Sequence, residues 1–519
     1  MPMDMLPSEF YEEYSSQRKQ YETRAESLAA ITLPYAIRRD GQSGTSPMDD
    51  AHSQSFCGRA VNTLKAKMGM ALLPPATSSF RIVPNAQIMA AMALGESSEQ
   101  DMADTNKLIA GATTIINAEL ENQQIRESLF DVIVQLILVG SVIVEKIEGD
   151  GIVIHTLKNF VVDLDRKGRP LTMCIKEVLR RLPEGITAEP TGDDEYELYT
   201  MLYLDEEKKD TWIMTQSIGG ELVGNEATYK TENLPFKYLG WTWMTGDYSH
   251  RPFAEDYFAD MESIEALSEL MSDGSLIAGK NIIFVNERGG RTRKDAVANS
   301  ANGDVVDGSA EDVTAFRSEK GQDMQIVAQY LAELKRELAS SFLLNESATR
   351  DAERVTAEEV RFMAQELETS SLAGIYSKLS KEWSGWIISQ IKNELKLDFG
   401  ALEVNIITGL DALGRNVETQ KLDGVMGRLA NFELTGWVKQ AELVNRIVAQ
   451  QGVDGNNLIK TPDEKKKEDA ETQKAALEQQ AKASLADNAG AAAQQGIKGK
   501  QEADMAMQQQ QQQAEQPTE

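Results

Sequence analysis

The strongest constraint on the fold is a change in hydrophobic period that occurs twice along the chain. Up to about residue 139, apolar residues recur at helical spacing, as in "GRAVNTLKAKMGMALLPP". From Val142 to about Tyr248, short β-branched and aromatic runs alternate with turn clusters such as "EGDG" and "DRKGR", which is typical of antiparallel sheet. Helical spacing then returns. This order predicts an α+β chain that is mainly helical.

Three helical regions are predicted before the β-rich region. A charged helix runs from about Pro7 to Ala30, and a second helix carries Val61, Leu64, Met68 and Leu72 on one face. A helical pair covers about Glu99 to Val139. The apolar run "LFDVIVQLILVGSVIV" is too short to span a bilayer, so it predicts a buried helix that ends at Gly140 and leads into a strand.

Beyond the β-rich region, two helices flank an insert of different composition. The first helix is predicted from Phe253 to about Lys280 and the second from Met324 to Leu344. Between them, residues Ile282 to Asp323 are rich in Gly and Asp and contain only short apolar runs. The insert is therefore expected to form a small irregular unit.

The next helix has a sharply defined start. Thr356 can cap it and Glu359 can reach back to the cap, which is a capping box, and Val355 and Val360 can form the accompanying hydrophobic staple. If continuous to Leu395, this helix would be about 60 Å long. "SSLAG" (370–374) is a plausible kink.

Composition narrows the class of protein. With 519 residues the chain exceeds one ordinary core, so two or more domains are expected. A formal charge of −29 argues against tight binding of nucleic-acid phosphates. Cys57 and Cys174 are the only cysteines, which excludes a disulfide framework and favours synthesis in a reducing cytosol. The N-terminus has no signal-peptide pattern, so a protein without membrane association is expected.

The sequence contains no recognisable catalytic motif. Phosphate-loop, dinucleotide-binding and nucleophile-elbow patterns are absent. His52, His155 and His250 are scattered, as are the two cysteines, so no zinc-ligand spacing exists. We therefore predict neither an enzyme nor a resident metal or cofactor, although a site made only of carboxylates cannot be told from surface charge at this stage.

Several strings, in this order along the chain, resemble the portal proteins (head-to-tail connectors) of short-tailed bacteriophages of the podovirus type. The likeness extends to about residue 460, and five strings in the right order make coincidence improbable. The strings are "YETRAES" (21–27), "NTLKAKMGMALLPP" (62–75), "LYLDEEK" (202–208), "ERVTAEEVRFMAQELE" (353–368) with "LAGIYSKLSKE" (372–382), and "IITGLDALGR" (406–415).

The resemblance implies a portal fold with named regions. Residues 1–252 would form the wing, with N-terminal helices and the β-rich region. Residues 253–281 and 324–344 would be the two stem helices, and 282–323 between them the clip.

The rest of the chain is divided in the same way. Residues 345–355 would be the tunnel loop and 356–399 the long wing helix. Residues 400–462 would be the crown, and 463–519 a Gln- and Ala-rich tail that is flexible or helical.

The resemblance also implies a function. Twelve identical subunits would form a ring at one capsid vertex, through which terminase packages double-stranded DNA and from which the DNA is released into the tail. The implied partners are the terminase large subunit, the major capsid protein and scaffold, tail adaptor or tail tube proteins, and the DNA itself, with no membrane. The protein would be made in the host cytoplasm and reside in the virion.

Basic residues in three regions are the candidate contacts, and each group has a second interpretation. Arg350 and Arg354 would line the channel on the tunnel loop, or pair with nearby carboxylates. Lys335 and Arg336 would line it on the stem, or form salt bridges along their helix with Glu333 and Glu337. The remaining four would contact terminase or tail adaptors from the clip, or lie on a solvated loop. They are Arg288, Arg291, Arg293 and Lys294.

Two other functions stay open at this point. A neck or tail adaptor would close the channel instead of guiding DNA, although adaptors are usually much shorter chains. A carboxylate-metal nuclease would cleave DNA in a metal-dependent way.

Overall fold

The computed structural model describes the following residues: 5–38, 53–74, 80–84, 99–182, 195–205, 207–279, 283–286, 294–301, 305, 309, 311, 313–315, 321–344, 357–396, 402–406, and 474, 499, 500, 503, 505 and 507 near the C-terminus. The chain divides into two compact units, Met1–Glu418 and Thr419–Glu519. In the second unit the described residues are helical. All elements below belong to the first unit.

Among the residues described before the β-rich region, four helices lie close to the predicted positions. They are α1 (Pro7–Ile31), α2 (Phe56–Leu72), α3 (Glu99–Asn122) and α4 (Ile125–Leu138). The face of α2 predicted from helical spacing is buried: the side chains of Val61, Leu64, Met68 and Leu72 are at most 2% exposed. The bounds of α3 and α4 confirm the predicted helical pair.

The end of α4 is also as predicted, because Gly140 has φ +92° and the chain continues directly into a strand. A Cβ atom at Gly140 would clash with the His250 carbonyl and the Pro252 nitrogen. Glycine is therefore required there both by the left-handed backbone and by the close approach of another segment.

The described strands of the β-rich region form two antiparallel sheets, which confirms the predicted sheet type. The strands are β2 (Ser141–Lys146), β3 (Ile152–His155), β4 (Phe160–Leu164), β5 (Pro170–Leu179), β6 (Tyr196–Leu204), β7 (Thr211–Ile218), β8 (Glu221–Lys230) and β9 (Phe236–Gly240). One sheet has the order β3-β2-β9 and the other the order β4-β5-β6-β7-β8. A separate pair joins β1 (Phe80–Pro84) to β12 (Leu402–Ile406).

Helix α1 covers one face of the five-stranded sheet. Phe10 and Tyr11 of this helix pack with Cys174, Tyr199 and Met201 of the sheet. The opposite face, with Met173 and Leu202, joins the main core together with α2, α4 and the three-stranded sheet. The five-stranded sheet thus lies between two apolar clusters, one formed with α1 and the other belonging to the main core.

A helical hairpin follows, made of α5 (Phe258–Gly279) and α7 (Gly321–Ser341). A 3₁₀ turn, Phe253–Tyr257, precedes α5, so the α-helix begins later than the sequence predicted. The segment between the two helices contains β10 (Ile283–Val285), α6 (Lys294–Ala298) and β11 (Val313–Ala315). Strands β10 and β11 pair with each other in antiparallel register.

The helix predicted to continue to Leu395 is broken. It consists of α8 (Ala357–Thr369), α9 (Ala373–Leu379), a π-helical turn (Ser380–Ser384) and α10 (Gly385–Glu394). The first break lies at the predicted kink. Ser370 Oγ donates to the Leu367 carbonyl and accepts from the Leu372 N–H, so the serine side chain replaces backbone hydrogen bonds of the helix.

In the part of the chain that the structure describes, no helix is long and apolar enough to cross a membrane.

Candidate functional site

The helical hairpin is antiparallel, as contacts at both of its ends show. Near the tip, Gly274 of α5 lies so close to Met324 of α7 that an added Cβ atom would clash with the methionine side chain. At the base, the ring of Phe342 lies 5.0 Å from that of Phe253 and 5.5 Å from that of Tyr257. The segment between the two helices is therefore joined to the hairpin at the end opposite the contact between Phe253 and Phe342.

The hairpin is amphipathic but leaves much apolar surface uncovered within its own chain. Met261 and Ile264 of α5 and Leu338 of α7 are buried. Five large apolar side chains are about half exposed or more. They are Leu270, Leu276, Ile277, Ile326 and Tyr330. Apolar side chains concentrated on one hairpin indicate a surface that another molecule covers.

The two predicted stem cations differ in their surroundings. Lys335 is half-buried, and its Nζ lies 5.8 Å from the centre of the Phe56 ring, a cation–π contact with α2. Arg336 is exposed. Among the described residues, neither cation forms a salt bridge with Glu333 or Glu337. The sequence raised that pairing as an alternative to a channel contact.

The other predicted basic residues fall largely outside the described residues. Arg350 and Arg354 do so, as does the capping box at Thr356. Three of the predicted clip residues do so as well: Arg288, Arg291 and Arg293. Lys294 is the first residue of α6 and is exposed.

A buried lysine joins the two helices that flank residues 345–356. Lys67 Nζ donates to the Leu343 carbonyl at 2.6 Å and lies 2.6 Å from Glu366 Oε2. The lysine side chain is 4% exposed and the glutamate side chain 16%. Leu343, just past the end of α7, has φ +55°, a conformation that costs about 1–3 kcal/mol for a non-glycine residue. The Lys67 ammonium therefore holds a strained backbone and α8 in one fixed geometry.

Sequence reasoning missed Lys67, although a signal was present. Lys67 follows Leu64 by three residues and directly precedes Met68, so helical spacing places it on the buried face of α2. A lysine at such a position needs a buried partner. The identity of that partner, about three hundred residues away at Glu366, could not be read from spacing.

The structure also brings together three potential metal ligands that the sequence left scattered. Ligand atoms of Glu145, His155 and Glu177 all lie within 4.8 Å of one another. His155 Nε2 is 3.0 Å from Glu145 Oε2. Burial raises the pKa of Glu177 above its usual range, and the charge of Glu145 raises it further, while His155 acts in the opposite direction. The three residues lie on three different strands, so no local spacing could have predicted the cluster.

The comparisons with known proteins agree with the resemblance seen in the sequence. The family model described as bacteriophage head to tail connecting protein matches residues 7–397. The portal protein of Escherichia phage T7 is 28% identical over 485 residues, with 89% of each chain covered. The portal protein of Enterobacteria phage T3 is 28% identical over 478 residues, with 88% of each chain covered.

The matching solved structures include one of low similarity. It is a chain described as "Virion of native gene transfer agent (GTA) particle", which is 11% identical with a TM-score of 0.37 and covers 82% of this chain and 92% of its own. The family assignment does not depend on it. Because the family model spans most of the first compact unit, the chain belongs to the bacteriophage head-to-tail connecting proteins, which are structural proteins and not enzymes.

Proposed function

We propose that this chain is the subunit of a portal ring at the unique vertex of a phage capsid. Terminase would drive genomic double-stranded DNA through the axial channel of the ring, and the ring would retain the DNA and later release it into the tail. Membership of the connector family and similarity to portal proteins over most of the chain support this function. The protein would therefore reside in the virion after synthesis in the host cytoplasm.

The observation that carries the proposal is the uncovered apolar surface of the helical hairpin. Leu276 and Ile326 are each 66% exposed in the single chain. A ring places one face of each subunit against a different face of its neighbour, so the exposed side chains of one hairpin would be covered by the next subunit. Twelve copies would close the ring, with the hairpins as the stem.

The remaining regions take their proposed roles from the same family. Residues 1–252, with their helices and sheets, and residues 356–399, which include the broken helix, would form the wing. Residues 400–462 would form the crown, with 463–519 as its tail. The tip segment, 282–323, would be the clip. Arg288, Arg291, Arg293 and Lys294 would there contact the terminase large subunit and later the tail adaptor. The capsid protein and scaffold would surround the wing.

The charge balance of the chain suits a channel that DNA must slide through. Each phosphate that a protein neutralises adds salt-dependent affinity, so a strongly basic lining would slow translocation. With a net charge of −29, DNA contacts would be restricted to a few basic rings. We assign those rings to Arg350 and Arg354 in the tunnel loop, 345–355, and to Lys335 and Arg336 on the stem.

The native mass of the purified chain, combined with electron microscopy of the same sample, tests the proposal. Closed rings of about twelve subunits with an axial hole are the expected result. A monomer or dimer at high concentration would show that the chain does not build its own channel.

The DNA contacts require a separate assay of packaging. Arg350→Ala and Arg354→Ala should leave rings intact and alter the amount of packaged DNA. Lys208→Ala, in the β-rich region, is the matched control because it also removes one cation. Equal packaging by all three variants would remove Arg350 and Arg354 from the proposed basic rings.

A further inference from the structure

We propose that Glu145, His155 and Glu177 form a binding site for a divalent transition-metal ion such as Zn²⁺, which links the two sheets of the β-rich region. The site concerns a single subunit, and it does not depend on the formation of a ring.

The geometry of the strands explains why these three side chains meet. Ile143 of β2 pairs with His155 of β3, so Glu145, two residues further along, is the diagonal neighbour of His155 on the same face of the sheet. Phe160, the first residue of β4, pairs with Ile175 of β5. Strand β5 continues for four more residues, to Leu179. Glu177 therefore lies beyond the end of β4, next to the segment that contains His155.

The imidazole is held in a fixed position. The side chain of His155 is 3% exposed, and its ring stacks on Phe236 with centroids 6.5 Å apart. Glu145 retains 25% of its side-chain exposure, so an ion can reach the cluster from solvent. A rigid, buried nitrogen with a partly accessible oxygen beside it is suited to capture a metal ion.

The distances require only a small adjustment for coordination. Bonds of about 2.0–2.2 Å from Zn²⁺ to imidazole nitrogen and carboxylate oxygen place neighbouring ligand atoms about 3.3 Å apart in a tetrahedral site. His155 Nε2 and Glu145 Oε2 are already 3.0 Å apart. Rotation of the half-buried Glu177 side chain would bring in the third ligand. Water would supply a fourth.

The local charges favour a bound cation. Three lysines lie nearby in the sequence or fold, but each is paired with a carboxylate outside the cluster. Lys146 pairs with Glu394, Lys158 with Glu26, and Lys176 with Glu197. Among the described residues, the Glu177 side chain has no hydrogen-bond or salt-bridge partner. The carboxylates of Glu145 and Glu177 thus lie beside one imidazole. A divalent ion would neutralise the negative charges of the two carboxylates.

The ligand types select the class of metal. Imidazole suits Zn²⁺ and its first-row neighbours, whereas Mg²⁺ and Ca²⁺ prefer sites made only of oxygen. Because Glu145 and His155 lie on the three-stranded sheet and Glu177 on the five-stranded sheet, the ion would join the two sheets. We therefore expect it to stabilise the fold, not to catalyse a reaction.

The test uses the full-length protein after chelator treatment and buffer exchange, titrated with ZnCl₂. Calorimetry should show one Zn²⁺ bound per chain, and the thermal midpoint should rise by several degrees in excess Zn²⁺. Glu177→Gln removes one of two neighbouring carboxylates, so the metal-free variant should be at least as stable as wild type. The same variant should bind Zn²⁺ at least about tenfold more weakly, which is the loss that even indirect ligand partners cause.

His155→Asn should weaken binding similarly, and Glu197→Gln is the matched control. Glu197 lies on β6 and bonds to Lys176 and Tyr199, so this variant should bind Zn²⁺ like wild type. The proposal would be overturned by wild-type affinity in Glu177→Gln, or by no Zn²⁺ binding in wild type. It would also be overturned by an equal thermal shift with MgCl₂ at the same concentration. If His155→Asn fails to fold, the Zn²⁺ affinity of Glu177→Gln still tests the proposal, because Glu177 is only half-buried.

Discussion

The broken helix of α8 to α10 and the helical hairpin of α5 and α7 are both amphipathic, but they complete their apolar contacts in different ways. Trp383 and Trp386 of the broken helix are 1% and 7% exposed, with ring centroids 5.8 Å apart. On the hairpin, Leu276 and Ile326 are each 66% exposed. Around its two tryptophans the broken helix is packed within one chain, whereas the hairpin leaves large apolar side chains exposed.

This difference separates stability from assembly. Substitutions around Trp383 and Trp386 should lower the stability of the single subunit, because they remove contacts that the chain makes with itself. Substitutions on the exposed side of the hairpin should leave the subunit stable and act on the ring. The four predictions below test that separation, from the largest expected loss of subunit stability to the smallest.

Trp383→Ala should have the largest effect, a loss of about 3–5 kcal/mol in the free energy of unfolding, because it leaves a large cavity at a fully buried position. Chemical denaturation of the isolated subunit measures the loss. Trp383→Phe is the control: among the described atoms Trp383 Nε1 has no hydrogen-bond partner, so no hydrogen bond is lost, and the smaller cavity should cost clearly less than the alanine cavity. Similar losses in both variants would mean that ring shape, not buried volume, stabilises this region.

Lys67→Met should cost about 3 kcal/mol in the free energy of unfolding, since it takes a buried ammonium away from the Leu343 carbonyl and from the half-buried Glu366 carboxylate. The thermal midpoint of the subunit would fall accordingly. Lys65→Met, two residues earlier on the same helix, removes the same charge from a position that is not buried and should have little effect. A Lys67→Met subunit as stable as Lys65→Met would show that the buried pair contributes no net stability.

His250 should make the subunit less stable in mild acid. Its side chain is 2% exposed and its Nδ1 lies 3.0 Å from Tyr238 Oη. Burial lowers the pKa of His250 to about 3, and Lys378 adds to the effect. The unfolded chain, with a histidine pKa of about 6.5, binds the proton first as pH falls. Stability is therefore lost below that value, by about 2 kcal/mol between pH 7 and pH 5.

His250→Asn provides the comparison, because the amide can occupy the place of Nδ1 but does not titrate. The variant should lose about 2 kcal/mol less than wild type between pH 7 and pH 5, whatever its own stability at pH 7. Identical pH profiles for the two proteins would show that the pKa of His250 is the same in the folded and unfolded states.

Local patterns in the sequence were sufficient to predict most of the helices and the type of sheet. The buried face of α2, the helix that ends at Gly140 and the antiparallel sheets all follow from hydrophobic period and turn residues, which neighbouring residues determine. The kink near Ser370 also follows from local chemistry. The pairing of Phe80–Pro84 with Leu402–Ile406 does not, because nothing in either segment specifies a partner about three hundred residues away.

The candidate site was harder to predict from the sequence, because its contacts also join residues that are distant along the chain. Lys67 carried a local signal of burial, but its partners Leu343 and Glu366 are distant in sequence. The cluster of Glu145, His155 and Glu177 exists only after three strands have taken their register. The proposed channel cations, by contrast, came from the family resemblance, and their contact with DNA stays a prediction.

Leu276→Gln on the hairpin should have the smallest effect on the subunit, within about 0.5 kcal/mol, because substitution of an exposed side chain removes few contacts within the chain. The same change should reduce the fraction of protein in rings, since it places an amide where a neighbouring subunit would bury an apolar side chain. Size-exclusion chromatography with light scattering would measure the ring fraction, and thermal unfolding would measure the stability of the subunit.

Ile264→Gln, on the buried side of the same helix, supplies the matched contrast. The Ile264 side chain is fully buried, so this variant should destabilise the subunit itself by several kcal/mol, because it buries an unpaired amide in the core. The comparison between the two regions fails if Leu276→Gln lowers the thermal midpoint as much as Ile264→Gln does, or if it leaves the ring fraction at the wild-type value. In the first case the outer side of the hairpin would also be part of the subunit core, and in the second the neighbouring subunit would bind elsewhere.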